Sequence, residues 1–455
     1  MTYTEYFKNL KNKRVGVFGI GISNLPLIDM LLNAGAKVVA GDKKTYDALS
    51  DDVKALEKRG VKLVLGEDFP DKMEGEILFR TPGLRPDIKR ICELVEAGSV
   101  LTSEMEVFFE LCPAKIIGVT GSDGKTTTTT LISEMLKAEG YKVWLGGNIG
   151  TPLLPEIENI SPDDKVVVEL SSFQLFTFKK SPHIAVITNL SPNHLDVHKD
   201  YKEYIDAKKN IMLYQGKDDV LVVNNKNAET IKIGKEARGE VRTFSSSCDA
   251  LAHIENGIIY YGDKEILKVC DIKIPGAHNV ENYMTAICAV YDMVRTETIN
   301  KVAKTFGGVE HRIEFVREKD GIKFYNSSID SSPNRTINTL KVFSDRVILI
   351  SGGKDKGIPY DEIGPHLVER VKKLVLIGAT APLIENALNK AYAEQGITPI
   401  IDVFHAESYE EAVNLSYNNA KEGDVVLLSP ASTSFDMFKN FEERGNCFKE
   451  LVRNL

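Results

Sequence analysis

The sequence has few of the features that would indicate a secreted, membrane-bound or nucleic-acid-binding protein. Its cysteines are scattered without a C-x-x-C pair, which predicts reduced thiols in the cytoplasm and no disulfide framework or zinc site. No apolar run approaches the roughly 18 residues that a membrane-spanning helix needs. The first residues lack the layout of a signal peptide. The cysteines are Cys92, Cys112, Cys248, Cys270, Cys288 and Cys447.

The charge distribution also argues against a nucleic-acid partner. The net charge is −8, and the sequence contains no block of lysine and arginine residues. The 455 residues, of which 43% are hydrophobic, are enough for about three domains of ordinary size. Composition therefore favours a cytoplasmic, multidomain globular protein.

The most informative stretch is a glycine-rich loop between an apolar strand and a helix, at residues 115–128. Gly121 and Gly124 allow the backbone to turn successive N–H groups towards an anion. Lys125 would bring a positive charge to the outer phosphates of a nucleotide, and Thr126 offers a hydroxyl to Mg²⁺. The stretch therefore predicts a phosphate-binding P-loop.

This loop is a variant of the strict G-x-x-x-x-G-K-[ST] pattern, because Val119 stands where the first glycine is expected and Gly118 comes one residue early. A second feature supports the same interpretation. The apolar strand 165–169 ends in Glu169, and in P-loop enzymes a carboxylate at such a strand end completes the Mg²⁺ shell. The polar residues that follow Glu169 would not be needed in a hydrophobic core, which favours a functional role for this segment.

A third candidate segment follows the strand predicted at residues 183–189. It contains His194, Asp196 and His198, and this combination at a strand end indicates a site. Mg²⁺ prefers oxygen ligands, so these residues alone predict that His194 contacts phosphate or substrate. Lys208, on the helix that follows, is predicted to lie on the surface.

The first part of the chain, residues 14–42, has the pattern of a βαβ unit with a Gly19-x-Gly21 turn. It resembles a dinucleotide-binding fold, but Asn24 takes the place of the third glycine. The pattern therefore leaves open a nicotinamide cofactor, a different nucleotide or a structural turn. Lys43 and Lys44 follow the second strand, at the edge where open α/β sheets bind ligands.

The last part of the chain repeats the α/β rhythm. Three predicted strands end in small polar loops, which predicts a second ligand-binding sheet edge. A segment with paired glycines, Gly307 and Gly308, precedes this part and is a candidate hinge. The predicted domains are residues 1–112, 113–310 and 311–455.

Several motifs taken together resemble the Mur ligase family over essentially the whole chain. They lie at residues 118–126, 169–175, 189–196, 276–282 and 311–312. The motifs at 169–175 and 429–445 resemble the branch that adds D-glutamate. The resemblance implies an α/β fold of three domains: a Rossmann-like N-terminal domain, a central P-loop ATPase domain with a parallel-rich sheet, and a Rossmann-like C-terminal domain.

The resemblance also implies roles for individual residues. The ATP-binding positions are Gly121, Ser122, Asp123, Gly124, Lys125, Thr126, Thr127, Asn279, Asn282 and Arg312. Two Mg²⁺ ions are implied, at Thr126, Glu169, His194 and Lys208, the lysine being carbamylated; Lys125, Glu169, His194 and Lys208 would be catalytic. Positions around the uridine diphosphate are Ile22, Ser23, Lys43, Lys44, Gly83 and Asn148. Positions around the incoming amino acid are Ser331, Lys356, Ser434, Phe435 and Phe441.

The chain departs from the family pattern at several positions. Asp123 stands where asparagine is usual, and Asn193 where aspartate is usual. Ser327 and Ile329 replace an aspartate and a lysine of the family, so the family's ribose contact does not carry over directly to this chain. Asp330 is the candidate substitute for that contact.

The implied activity is ATP-dependent joining of D-glutamate to UDP-N-acetylmuramoyl-L-alanine through an acyl phosphate, by a monomer without a membrane span. Three alternatives remain. A related ligase for another amino acid would share the fold. A nucleotide-dependent switch would need no second substrate site, and a nicotinamide oxidoreductase is disfavoured by Asn24.

Overall fold

The computed structural model describes residues 2–195, 197–247 and 249–455, so Asp196 and Cys248 lie outside the described residues. The chain forms two compact units. The first comprises Met1–Asp271 and Val280–Val302, and the second comprises Ile272–Asn279 and Ala303–Leu455.

The first unit begins with a five-stranded parallel sheet in the order β3-β2-β1-β4-β5. Its strands are β1 (Arg14–Phe18), β2 (Lys37–Asp42), β3 (Lys62–Leu65), β4 (Ile77–Arg80) and β5 (Val100–Thr102). Its helices are α1 (Tyr3–Lys8), α2 (Asn24–Asn33), α3 (Asp51–Lys58), α4 (Lys89–Glu96) and α5 (Glu104–Leu111). The βαβ unit predicted from residue 14 onwards is confirmed.

The same unit contains a nine-stranded sheet in the order β14-β13-β12-β11-β10-β9-β6-β8-β7. All neighbours are parallel except the antiparallel pairs that β13 forms with β12 and β14. Its strands are β6 (Lys115–Thr120), β7 (Val143–Gly147), β8 (Lys165–Glu169), β9 (Ile184–Ile187), β10 (Val220–Asn224), β11 (Glu240–Phe244), β12 (Ala252–Glu255), β13 (Ile258–Tyr261) and β14 (Lys264–Lys268). The helices in this part of the chain are α6 (Lys125–Glu139), α7 (Ser172–Leu175), α8 (Tyr201–Leu213), α9 (Ala228–Gly234), α10 (Ala277–Val290) and α11 (Thr296–Thr305).

Strand order brings the candidate motifs to one edge. β6 lies between β8 and β9, with Val119 opposite Glu169 and Thr120 opposite Ile187. Because parallel strands end at the same edge of a sheet, the loops after these three strands are neighbours. The P-loop, the acidic strand end and the histidine segment therefore meet there.

One apolar core joins the two sheets of the first unit. Buried residues of α5, such as Phe108, belong to the same cluster as Leu154 and Ile157 of the second sheet's layer. The buried carboxylate of Glu104 also accepts a hydrogen bond from the backbone N–H of Leu154, at 3.1 Å. The two sheets thus belong to one compact unit.

The second unit contains a six-stranded sheet in the order β15-β16-β20-β17-β18-β19, parallel except for the β15–β16 pair. Its strands are β15 (Glu314–Lys319), β16 (Ile322–Asn326), β17 (Val347–Ser351), β18 (Val371–Ile377), β19 (Asp402–Ala406) and β20 (Val425–Leu428). Its helices are α12 (Pro333–Leu340), α13 (Gly364–Arg370), α14 (Ala381–Gln395), α15 (Tyr409–Asn418) and α16 (Phe441–Asn454).

The predicted α/β class with parallel-rich sheets is confirmed. No helix within the described parts of the chain is long and apolar enough to cross a membrane.

The buried Glu104 generates a prediction about stability. Burial raises the pKa of its carboxyl from 4.5 to about 7. Between these values the unfolded chain has lost the proton and the folded chain retains it, so stability falls as pH rises from about 4.5 to about 7, and the loss is constant above that.

We therefore expect the Glu104→Gln variant, which keeps the acceptor for Leu154, to melt several degrees higher than the unmodified chain near pH 8. The two should melt at similar temperatures near pH 4.5. Glu110→Gln, an exposed position on the same helix, is the control. An equal difference at both pH values, measured by calorimetry, would contradict this reasoning.

Candidate active site

The loop after β6 has a backbone that only glycine fits at two positions. Gly121 and Gly124 have φ angles of +149° and +77°. A Cβ at Gly121 would lie 1.9 Å from the hydroxyl oxygen of Thr188, and one at Gly124 would lie 2.5 Å from Oδ1 of Asn282. Gly124 caps the N-terminus of α6, whose first N–H groups have no acceptor within the helix.

The end of β9 holds this loop in place. The backbone N–H groups of Ser122 and Asp123 donate to the carbonyl and side-chain oxygens of Asn189, at 2.9 and 3.0 Å. The hydroxyl of Thr188 donates to the carbonyl of Asp123 at 2.6 Å. Lys125 Nζ donates to the carbonyls of Gly121 and Ser122. The loop is thus preformed, and its amide groups, the helix N-terminus and the ammonium group suit a phosphate chain.

Glu169 ends β8 as an almost fully buried carboxylate, with 1% of its surface exposed. One oxygen accepts a hydrogen bond from Asn148 Nδ2 at 2.8 Å. The other, Oε2, has no hydrogen-bond partner among the described residues. A buried carboxylate oxygen normally has a partner, so this one fits a cation that is bound together with the substrate.

The donor set fits Mg²⁺ in particular. The Thr126 hydroxyl and the Glu169 carboxylate are hard oxygen ligands. In the described part of the chain, no group of three or more His, Cys, Asp or Glu side chains could hold a metal alone. The remaining ligands would therefore come from phosphate oxygens and water, as is usual for Mg²⁺.

Lys208 was predicted to lie on the surface from its residue type, and this prediction is wrong. Its side chain is 2% exposed and donates to the hydroxyl of Thr120 at 3.2 Å. It shares the buried face of α8 with Tyr204, over whose ring the ammonium lies. Burial, followed by repulsion from Lys125, holds the pKa of Lys208 well below its usual value. The ammonium group of Lys208 therefore loses its proton easily and becomes a neutral amine.

His194 lies at the rim of the same edge. It is exposed, adopts a left-handed backbone with φ of +55°, and packs edge-on against the Phe173 ring with centroids 5.1 Å apart. The ring of Phe173 supports the imidazole at this position.

His198 was included in the motif but received no role from the sequence. It is buried, and its ring is stacked between Phe173 and Phe176, with centroids 5.4 and 4.8 Å away. Its Nε2 and the Ser172 hydroxyl are hydrogen-bonded at 2.9 Å. Burial lowers its pKa, so the neutral imidazole is favoured. His198 thus packs against Phe173, the ring that contacts His194.

The predicted uridine-site residues occupy loops at the carboxyl edge of the first sheet. Ile22 is 84% exposed, an unusual position for an isoleucine without a ligand. Asp42 accepts hydrogen bonds from the N–H groups of Ile20 and Lys44, and so braces two of these loops. Asn24 closes the Gly19 turn by donating to its carbonyl at 2.8 Å. These loops contain Ile22, Ser23, Lys43, Lys44 and Gly83.

Asn148 belongs instead to the second sheet, where its amide contacts Glu169. Asn282 is buried and accepts from the hydroxyl of Thr128 at 3.3 Å, which places it against the start of α6. Asn279 donates to the carbonyl of Pro275 at 2.6 Å and lies, like Arg312, in the second unit.

The predicted amino-acid residues all lie in the second unit, around the ends of β16, β17 and β20. The N–H of Lys354 donates to the carbonyl of Thr433 at 2.9 Å, which joins the loop of Lys356 to that of Ser434. Phe435 is exposed, whereas Ser434 is buried. The residues in this group are Ser331, Lys356, Ser434, Phe435 and Phe441.

A fully buried arginine, Arg444, organises these loops. Its guanidinium donates to the carbonyls of Ser328 and Ser432, at 2.7 and 3.0 Å. Sequence analysis did not assign it a role, because an arginine on an amphipathic helix gives no signal of burial.

Asp330, the candidate for the ribose contact, is enclosed within the second unit. Its carboxylate is buried and accepts hydrogen bonds from the hydroxyls of Thr339 and Ser429, at 2.8 and 2.7 Å. Burial raises its pKa. Ser327 is likewise buried, and its hydroxyl accepts from the N–H of Ile313. Both side chains thus form hydrogen bonds within the second unit.

Comparison with known proteins agrees with this geometry. Sequence models of the Mur ligase middle domain and of the Mur ligase glutamate ligase domain match residues 119–290 and 311–432. UDP-N-acetylmuramoylalanine–D-glutamate ligase from Ruminiclostridium cellulolyticum is 54% identical, over 99% of this chain and 98% of the relative.

The chain belongs to the Mur ligase family. The enzyme of the same name from Acetivibrio thermocellus is 55% identical, over 99% of this chain and 98% of the relative. The solved structure of UDP-N-acetylmuramate-alanine ligase MurC from Thermotoga maritima has a TM-score of 0.57 and 17% identity, and the match covers 97% of this chain and 99% of that one. At this identity the likeness establishes the fold alone. Mur ligases are ATP-dependent enzymes that form amide bonds and require Mg²⁺.

The loop geometry predicts the effect of one substitution. Gly124→Ala would place a methyl group against Asn282 and force an alanine into the left-handed region. We expect at least a tenfold loss of affinity for Mg²⁺ and a non-hydrolysable ATP analogue, measured by titration calorimetry. This loss corresponds to about 1.4 kcal/mol or more.

The matched control is Gly140→Ala, at the other end of α6. Gly140 has a φ of +109° but open space around its Cβ position. It imposes similar backbone strain without touching the loop, so its affinity should stay within twofold of the unmodified chain. Equal losses in both variants would show that strain in α6, and not the loop, is responsible.

Proposed function

We propose that this chain adds D-glutamate to UDP-N-acetylmuramoyl-L-alanine in an ATP-dependent reaction of cytoplasmic peptidoglycan precursor synthesis, and that it acts as a monomer. Full-length relatives that share 54% and 55% of its residues have the corresponding name. The structural observation that supports the proposal most strongly is the buried Glu169 beside the P-loop, with one carboxylate oxygen lacking a partner among the described residues.

In this proposal the P-loop holds the phosphates of ATP. Lys125 moves its ammonium from the carbonyls of Gly121 and Ser122 to the phosphate oxygens, while the α6 N-terminus supports them. Thr127 and the loop residues 121–124 contribute amide groups. Asn279 and Asn282 would lie near the adenine, and Arg312 near the nucleotide.

Thr126 and Glu169 would bind one Mg²⁺, and His194 and a carbamylated Lys208 would bind the second. The nitrogen of a neutral lysine amine can bond to the carbon of carbon dioxide and release one proton to solvent, which leaves a carbamate; the burial of Lys208 favours the neutral amine. Carbamylation converts this buried amine into an anionic oxygen ligand, which Mg²⁺ prefers. When bound, the ions neutralise charge on the phosphates and on the reacting oxygens.

A carboxylate acylates an amine only when it carries a better leaving group. The substrate carboxylate would attack the γ-phosphorus of ATP, which forms an acyl phosphate and releases ADP. The amine of D-glutamate would then attack the acyl carbon and displace phosphate. Lys125 and the loop amides stabilise the charge that develops in both steps.

The two substrates would bind at separate sheet edges. The uridine diphosphate part would occupy the loops of Ile22, Ser23, Lys43, Lys44 and Gly83, together with Asn148. D-Glutamate would occupy the loops of Ser331, Lys356, Ser434, Phe435 and Phe441. The two groups belong to different compact units.

The assignment is tested by ATP-dependent phosphate release from the purified protein. UDP-N-acetylmuramoyl-L-alanine is supplied with D-glutamate, with L-glutamate or with neither. We expect release only with the nucleotide sugar and D-glutamate together. Release with a different amino acid would change the substrate but not the reaction. No release despite ATP binding would favour the nucleotide switch.

The negative charge of Glu169 should affect the rate of phosphate release more than its hydrogen bond to Asn148 does. Glu169→Gln keeps an oxygen acceptor for Asn148 but removes the carboxylate charge. We expect at least a 100-fold lower rate of phosphate release, because the Mg²⁺ ligand is lost, with less than a threefold change in the Kd of UDP-N-acetylmuramoyl-L-alanine. Lys125→Ala should behave similarly. Near-normal turnover in either variant would refute these assignments.

Asn148 has two candidate roles that one experiment separates. The family resemblance implies a substrate contact, whereas the structure shows a hydrogen bond to Glu169. If orientation of Glu169 is its main role, Asn148→Ala should raise the Mg²⁺ concentration for half-maximal activity by about 10–100-fold. The KM for the nucleotide sugar should change less. The opposite pattern would favour the substrate contact.

A further inference from the structure

Strand β4 ends in a buried arginine, whose guanidinium faces the carbonyl groups of the loop that follows. Arg80 is 1% exposed, and its guanidinium donates to the carbonyls of Thr81, Pro82 and Leu84, at 3.2, 3.2 and 2.6 Å. These carbonyls surround Gly83, a position of the proposed uridine site. The arginine therefore determines the shape of this short loop.

The same guanidinium reaches the second sheet of the first unit. Its Nη2 donates to the carbonyl of Phe173 at 2.8 Å. Phe173 lies in α7, shortly after Glu169, and its ring packs edge-on against His194. Burial of a guanidinium costs free energy, and its hydrogen bonds to these carbonyl groups offset part of that cost. Arg80 links the uridine loop to the residue that supports His194.

A second arginine, in the loop after β4, makes an independent link on the other side of His194. Arg85 donates to the carbonyl of Val197 and forms a two-pronged contact with Glu203, at 2.8 and 3.0 Å. The N–H of Val197 in turn donates to the carbonyl of His194 at 3.1 Å. Arg85 also lies over the ring of Phe176, which stacks on His198.

We propose that Arg80 and Arg85 are positioning residues that couple occupancy of the uridine site to the position of His194. The inference rests on the proposed function, because that function places the nucleotide sugar against the loop of Gly83. Binding of the sugar shifts this loop, the arginines transmit the shift to Phe173 and Val197, and His194, which contacts both, is placed for its ligand. Neither arginine touches a reacting atom.

The test measures coupling between ligands on the full-length chain. Titration calorimetry gives the Kd of a non-hydrolysable ATP analogue with Mg²⁺, with and without saturating UDP-N-acetylmuramoyl-L-alanine. For the unmodified chain we expect the sugar to tighten binding by roughly fivefold or more. In Arg85→Met this factor should fall to about one, while each ligand binds alone within threefold of its normal affinity. Arg80→Lys, which cannot reach all four carbonyls, should also lower the factor.

Lys199→Met is the matched control. Lys199 is 68% exposed and pairs with Asp87 and Glu203, the carboxylates that also bind Arg85. Its side chain makes none of the hydrogen bonds that Arg80 and Arg85 donate to carbonyl groups. Its coupling factor should equal that of the unmodified chain. Thermal melting checks that each variant is folded.

The outcomes separate the two hypotheses. Coupling that survives in Arg85→Met, coupling lost equally in Lys199→Met, or no coupling in the unmodified chain would each overturn the positioning role and leave the proposed function intact. If the unmodified chain failed to bind UDP-N-acetylmuramoyl-L-alanine at all, the proposed function would be wrong, and this inference would be wrong with it.

Discussion

Burial of two ionisable side chains at one sheet edge is the constraint on which the rest of this structure depends. Glu169 and Lys208 are both almost fully buried, yet Glu169 keeps an oxygen without a partner among the described residues. Leaving charged groups in this state costs free energy unless ligands complete their interactions. The edge is therefore built for molecules that supply cations and phosphate oxygens. Glycine backbone at Gly121 and Gly124 allows those phosphates to approach the loop closely.

The surrounding architecture keeps this edge rigid. Parallel pairing aligns the ends of β6, β8 and β9, and side chains of Thr188 and Asn189 hold the P-loop before any ligand arrives. One apolar core joins the first two sheets, so the loops proposed for the uridine diphosphate and for the metal ions belong to one compact unit. A preformed site lowers the ordering cost of binding, which leaves more of the binding energy for catalysis. The amino-acid loops have an independent framework around Arg444.

Much of this site could be predicted from the sequence because local chemistry determined it. The P-loop needs glycine, lysine and threonine at fixed spacing, and Glu169 ends an apolar strand, so both were identified before the structure. Lys208 was misplaced because burial of one residue on an amphipathic helix depends on what packs against it. The burial of Asp330 could not be predicted for the same reason, since hydroxyls from Thr339 and Ser429 enclose it. The roles of Arg80 and His198 depend on contacts between distant segments, which no local pattern records.

The state of Lys208 tests the account most directly, because a buried lysine beside a P-loop is otherwise unexplained. The protein would be equilibrated with ¹³C-bicarbonate and studied by ¹³C NMR, with Lys208→Met as the comparison. The account predicts a carbamate signal in the unmodified protein that is absent from the variant. No carbamate signal in the unmodified protein, or one that persists in the variant, would contradict it.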